Sequence, residues 1–183
     1  MKSGKVIQTF RAKDGREVVL RTLRCEDLDD LLRMINSLVE ERANIAVDKK
    51  FSRGEEIDWL SRALSRQERD EVFYLVAEVD GRAVANSELN QRLSAYDKHV
   101  GIIGIAIEDG FRDLGIGTEM MRALVGQAKS IDLRVITLGV FANTTRAIHL
   151  YEKVGFVQTG TIPNRFFKEG KYVDEIIMTK TLG

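Results

Sequence analysis

The sequence is poor in the residues that mark specialised protein classes. One cysteine, Cys25, in 183 residues excludes an intramolecular disulfide framework. Two histidines and that thiol form no cluster of the zinc-binding kind. With one proline, Pro163, and no Pro- or Ser-rich stretch, no segment reads as a linker, and no internal repeat stands out. Lys and Arg number 28, as do Asp and Glu, so the formal net charge is zero. Without a global field, an anionic ligand must be held by local groups, and neither nucleic acid nor a membrane is an expected partner. The longest apolar run, Val100 to Ile107, is far shorter than the roughly 20 residues that cross a bilayer. Met1-Lys2-Ser3-Gly4-Lys5 lacks the apolar centre of a signal peptide. A cytoplasmic location is the expectation.

The remaining composition, 44% hydrophobic and 31% charged, is that of an ordinary globular chain. Its length is enough to bury roughly 70% of the unfolded surface. One domain over residues 1–183 is expected, with its core at 17–181 and residues 1–15 as a loose lead-in. Hydrophobic periodicity predicts a mixed α/β fold with a sheet of about seven strands flanked by helices. Strands are expected at Glu17 to Thr22, Glu71 to Val79, Ala83 to Leu93, Val100 to Ile107, Leu133 to Phe141, Phe156 to Phe166 and Tyr172 to Thr181. Asp80-Gly81 is a hairpin turn signal. Val100 to Ile107 is apolar at every position, which predicts a central strand buried on both faces.

Three- and four-residue spacing predicts a first helix carrying Leu28, Leu31, Leu32, Ile35, Leu38 and Val39. A second runs from Ser52 to about Arg66, with Ser52 and Glu55 in capping-box spacing and Ile57, Leu60 and Leu64 on its apolar face. A third runs from Gly115 to Ile131 on a stripe of Ile116, Met120, Leu124 and Ala128. A fourth is expected to be capped by Asn143 and stopped by Gly155.

The segment Phe111-Arg112-Asp113-Leu114-Gly115-Ile116-Gly117-Thr118 joins the central strand to the third helix. A helix start offers free N–H groups and the positive end of the macrodipole. Gly115 and Gly117 allow a phosphate close to the backbone, and Arg112 adds a forked donor. Met120 stands where a Rossmann fingerprint needs a third glycine, and Gly117-Thr118 lacks the lysine of a P-loop. On the glycines alone, a tight turn without ligand and an anion cradle both fit. Gly101 and Gly104 inside the preceding strand point to a bulge or a close backbone approach.

Arg112-Asp-Leu-Gly115-Ile-Gly117 followed by Val140-Phe-Ala-Asn143-Thr-Thr-Arg-Ala147-Ile-His-Leu-Tyr151-Glu-Lys-Val-Gly155-Phe156 resembles the two signatures of the GCN5-related N-acetyltransferases. The resemblance covers nearly the whole chain and is densest from His99 to Phe156. It implies the fold of that family and acetyl-CoA as co-substrate, bound mainly by about residues 99–156, with no metal. The pyrophosphate would lie on the N–H groups of Arg112, Asp113, Leu114, Gly115, Ile116, Gly117 and Thr118. The pantetheine arm would pair with Ile105, Ala106 and Ile107 where two central strands splay, and Asn143, Ile148 and Tyr151 would line the other side.

The implied reaction is direct attack of a primary amine on the thioester, with a small amine, an amino acid or a protein amine as acceptor. A protein lysine or N-terminal acetyltransferase specifically, a non-catalytic acyl-CoA-binding regulatory module and a plain interaction domain are the alternatives, and a homodimer stays open. Tyr151 resembles the family's general acid. A phenol of pKa about 10 can donate to a thiolate of pKa about 8.5, although Tyr151 also lies on the apolar stripe of its helix. For the base, Glu88 and His99 are the candidates, against a solvated strand charge and a strand-end residue, and a backbone- or water-mediated route stays open. Glu40, Glu41 and Trp59 fall where the family shapes its acceptor pocket. At pH 7 an α-amine of pKa about 7.8 is roughly 14% neutral and a lysine amine only about 0.04%.

Overall fold

The computed structural model describes residues 1–92 and 94–183. In chain order the elements are β1 (Val6–Arg11), β2 (Glu17–Thr22), a 3-10 turn (Cys25–Asp27), α1 (Leu28–Glu40), α2 (Arg53–Glu68), β3 (Val72–Val79), β4 (Arg82–Gln91), β5 (Val100–Ile107), α3 (Ile116–Ser130), β6 (Val135–Phe141), α4 (Thr145–Lys153), β7 (Val157–Lys168) and β8 (Lys171–Thr181). The expected mixed α/β architecture is present. The strands form one open sheet in the order β1-β2-β3-β4-β5-β6-β8-β7. The Ala83 to Leu93 expectation holds through Gln91; its last residue, Leu93, lies outside the described residues.

Among the described residues the strands number eight, not seven. The stretch expected to be a loose lead-in forms β1, which pairs antiparallel with β2 from Val6↔Arg21 to Arg11↔Glu17. Only Phe10 of β1 packs against the main core, so its apolar pattern was too thin to read. The only proline, Pro163, sits on edge strand β7 at a register irregularity between Ile162 and Phe166, where a missing N–H breaks no ladder. Asp80 and Gly81 both have positive φ, 51° and 76°, and close the β3–β4 hairpin as the sequence predicts.

Two apolar layers lie on opposite faces of the sheet. One is the larger core, in which Ile116, Met120, Met121, Leu124 and Ala128 of α3 meet Leu75, Leu89, Ile103 and Ile136. The other places Leu31, Met34 and Leu38 of α1 and Leu60 and Ala63 of α2 against Val72, Tyr74 and Val76. The apolar face expected on α2 is rotated by one position. Its buried residues are Glu56, Leu60, Ala63 and Gln67, while Ile57 is 44% exposed. β5 also departs from expectation. Gly101 and Ile103 are buried, but Ile102 is 38% exposed, because α1 and α2 cover only the neighbouring strands on that side.

A buried ion pair joins β2 to the start of α1. Both nitrogens of the Arg21 fork bond Asp27, at 2.8 and 2.6 Å, and its Nε donates to Glu78 at 2.8 Å. Such a pair is costly to bury and more costly to break on one side, so it fixes geometry more than it adds stability.

Glu56 is 3% exposed and has no charged partner among the described residues, and burial pushes its carboxyl up from 4.5 to about 7. The unfolded chain ionises this group near 4.5, so its contribution to stability is complete below that pH and is lost as pH rises through about 7. The variant Glu56→Gln, neutral at every pH, is expected to match the parent at about pH 4.5 and exceed it by about 1–3 kcal/mol at about pH 8. Urea denaturation at the two pH values measures this; a gain that does not depend on pH would point away from the buried carboxyl.

Candidate functional site

The site grows out of one discontinuity in the sheet. β5 and β6 run parallel but pair only at Val100↔Val135, Gly101↔Ile136 and Ile102↔Thr137. Beyond that point they diverge, while β4 stays paired to β5 as far as Ile107 and β8 stays paired to β6 as far as Phe141. The closed end is packed tightly: a Cβ on Gly101 would come within 2.7 Å of Leu89 and 2.8 Å of Leu133. The other end is a fork with backbone on both lips.

Strand alternation decides which groups face the gap. Val100 accepts from Arg92, just past the end of β4, and Val84 of β4 accepts from Glu108, so the even-numbered residues of β5 turn their main chain toward β4. The main chain of Ile105 and Ile107 therefore faces the fork. Ala106 does not; it pairs with Asn86, and its side chain packs on the α1/α2 layer. The Ile107 carbonyl already accepts from Arg112 Nε at 3.0 Å.

The loop after β5 opens at the mouth of the fork. Asp113 and Gly115 have φ of 61° and 91°, with an ordinary residue between them. This alternation turns successive N–H groups to one side and forms an anion nest. No N–H of residues 112–118 donates to the backbone of a described residue, and α3 begins with Glu119 donating to Gly115. Ile116 is core, so only its main chain is on offer. Gly117 has a packing reason as well, since a Cβ there would lie 3.0 Å from Ile107 and Leu150 side-chain carbons. Arg146, in the first turn of α4, reaches Asp113 at 3.3 Å.

The expected Asn143 cap is corrected. The N-cap of α4 is Thr144, without a side-chain cap bond, and the Asn143 carboxamide oxygen accepts from Asn44 at 2.9 Å. That bond belongs to a strap formed by the turn after α1. Asn44 also donates to Thr144 at 2.9 Å, and Glu41 pairs with Arg112. Lys168, at the end of β7, donates to the carbonyls of Arg42 and Ala43 at 2.7 and 2.6 Å and to Asn44 at 3.0 Å. The strap thus ties the loop after β5, the start of α4 and the β7–β8 hairpin together. Lys168 also lies 5.6 Å above Phe141, which stacks on Phe166 at 3.7 Å.

The candidate chemical groups separate clearly. Tyr151 is 7% exposed, close to Phe156, and burial pushes its hydroxyl up to about 12. Ile148 is half-buried against the same core. Glu88 faces the α1/α2 side, level with Tyr74 on one neighbour and Gly104 on the other, and burial raises its carboxyl above the usual range. His99 is not brought to the fork. It is exposed at the closed end of β5, its carbonyl bonded by Arg134 and Val135, roughly 16 Å of strand from Gly104. Of the other positions singled out, Trp59 packs edge-on against Tyr74, and Glu40 pairs with Lys50 at the surface.

Residues 32–156 match the family described as the acetyltransferase (GNAT) family. The chain belongs to that family. This GNAT acetyltransferase is 30% identical over 115 residues, 62% of its length and 70% of the relative's, to the L-amino acid N-acetyltransferase AaaT of Escherichia coli. It is 27% identical over 170 residues to an N-alpha-acetyltransferase of Sulfurisphaera tokodaii, covering 87% of this chain and 92% of that one. Its fold resembles that of a phosphinothricin acetyltransferase from Sinorhizobium meliloti solved in complex with AcCoA. The TM-score is 0.80 at 20% identity, with 91% of this chain and 89% of that one covered.

Because Lys168 bonds three oxygens of the strap, the variant Lys168→Met is expected to speed amide hydrogen exchange across residues 41–51 and leave β3, β4 and β5 unchanged. Exchange followed by mass spectrometry reads this; unaltered strap exchange would show that the hairpin does not hold it.

Proposed function

We propose that this GNAT acetyltransferase moves the acetyl group of acetyl-CoA onto an α-amine, that of a free amino acid or of a peptide N-terminus. The observation that carries the reading is the alignment of two unpaired backbone surfaces. The anion nest at 112–118 opens onto the fork, where the main chain of Ile105 and the N–H of Ile107 face the gap beyond the last paired residues. A diphosphate followed by an extended amide-bearing arm has the donors and acceptors these surfaces lack. The α-amine is favoured over a lysine side chain because about 14% of it is neutral at pH 7, against about 0.04%. The names of the Escherichia coli and Sulfurisphaera tokodaii relatives agree with this choice.

A bound thioester would supply an activated acyl carbon and a thiol leaving group. The chain's own residues do the rest. The N–H groups of 112–118 hold the phosphate end, assisted by Arg112 once its fork leaves Glu41. The main chain of Ile105 fixes the arm, and the arm's direction carries its tip toward the closed end of the fork. There Glu88 stands on the α1/α2 face beside Gly104. Its carboxyl, raised by burial, is better matched to taking a proton near neutrality than an ordinary glutamate. The Tyr151 hydroxyl, held up at about 12, keeps its proton at neutral pH and can give it to the departing sulfur. The 41–44 strap and the Phe141–Phe166 stack wall the acceptor side.

CoA at 100 times its dissociation constant is expected to stabilise the protein by about 2.7 kcal/mol, read as a thermal shift. CoA release from acetyl-CoA with a panel of L-amino acids and their amides tests transfer. The variant Tyr151→Phe is expected to lower kcat about 100-fold with little change in CoA affinity. A normal kcat would remove Tyr151 as the acid, and no thermal shift with CoA would overturn the nest.

A further inference from the structure

We propose that Glu175 is an acceptor-binding residue, its carboxylate receiving the ammonium end of the incoming amine across the fork from Glu88. The proposal rests on the reading of the fork given above and names a residue that the sequence did not single out.

The register places two glycines opposite one another. Pairing of β5 with β6 advances one for one up to Ile102↔Thr137, and two residues further along each strand stand Gly104 and Gly139. Both belong to the α1/α2 face. Gly104 is level with Glu88. Gly139 shares its side of β6 with Phe141, whose partner on β8 is Glu175, whereas Leu138, Val140 and Met178 point into the opposite core. At one level, just beyond the last paired residues, each lip of the fork is therefore bare main chain.

A carboxylate lies over each of these bare positions. A Cβ built on Gly104 would meet Cγ and Oε1 of Glu88 at 3.6 Å. A Cβ on Gly139 would collide with Oε1 of Glu175 and lie 2.9 Å from its Cδ. Glu175 leans back from its own register position into the space that a side chain at 139 would fill. Its Oε2 lies 3.5 Å from Nε of Arg165, an exposed side chain, while Oε1 stays turned to the lip. Gly139 itself is solvent-exposed, so the approach to this carboxylate is open.

Two carboxylates answer a need of the chemistry. About 86% of an α-amine arrives as ammonium at pH 7. A carboxylate that takes the proton ceases to be a counter-charge. With Glu88 taking it, Glu175 across the gap still holds the charge of the next arriving ammonium and keeps the nitrogen centred over the mouth. The ion pair with Arg165 tethers Glu175 without using Oε1.

The test compares the parent, Glu175→Gln and Gly139→Ala. The second variant keeps the carboxylate but puts a methyl where Oε1 lies. Two acceptors are used: the best L-amino acid amide from the panel, and O-methylhydroxylamine, which is uncharged at neutral pH. Both variants are expected to raise KM for the amide about tenfold or more. KM for O-methylhydroxylamine and the affinity for CoA should stay within about twofold. Equal losses on the two acceptors, or none on either, would overturn the proposal. A second measurement keeps the result separate from the acetyl-transfer reading: the thermal shift caused by the amide added to each protein with CoA. If the parent transfers nothing, the reading fails, yet a shift in the parent that Glu175→Gln loses still supports Glu175. No amide-dependent shift in the parent counts against it.

Discussion

The separation of β5 from β6 after Ile102↔Thr137 is the constraint around which the rest is arranged. Parallel neighbours in one sheet normally stay paired, since each unpaired N–H and C=O at buried depth costs free energy. Here each strand has a second partner that leads it away. β4 holds β5 through Ile107, and β8 holds β6 through Phe141. On the larger core side, Gly117 lets the start of α3 come close to Ile107 and to Leu150 of α4. On the other side, among the described residues, α1 and α2 stop short of β6, β8 and β7, and Gly139 at one edge of the gap faces solvent. The two faces of the fork thereby differ: one is closed by α3 and α4 and carries Tyr151, and the other is half open and carries Glu88 and Glu175.

That asymmetry gives burial a chemical role. Tyr151 and Glu88 are both shifted upward by desolvation, yet with opposite consequences. For a phenol that already holds its proton at neutral pH, the shift keeps the donor loaded. For a carboxyl that is normally ionised, it raises the affinity for a proton toward the range where proton transfer is efficient. One physical effect, applied to two residue types on opposite faces, shifts each in the direction that the proposed acid and the proposed base require.

Much of this was legible in the sequence wherever one pattern dominated. The stripe Ile116, Met120, Leu124, Ala128 can be satisfied only by a helix, and all four are buried. Asp80-Gly81 left one kind of turn. The positions that misled had competing causes. Asn143 is a good capping residue, but Asn44 from a distant turn takes its oxygen. Ile57 is the more apolar of two neighbours, yet the angle of α2 buries Glu56 instead. β5 reads as buried on both faces because sequence carries no information about which strands a helix layer will cover. Gly139 did carry a signal. The rule that a glycine inside an apolar strand marks a close approach applies to it as it does to Gly101 and Gly104, and its neighbour in that approach is Glu175.

The strap connects the two ends of this arrangement. Arg112 extends from the anion nest, and its fork is engaged by Glu41, whose neighbours Arg42, Ala43 and Asn44 are held by Lys168. A guanidinium has five donors in one plane and binds a carboxylate or a phosphate by the same two-pronged geometry. Any diphosphate settling in the nest therefore competes with Glu41 for Arg112. The side chain that loses its partner in that competition belongs to the strap. In a chain with no net charge, the guanidinium beside the nest is paired to an internal carboxylate, and one short turn links that carboxylate to the residues Lys168 holds.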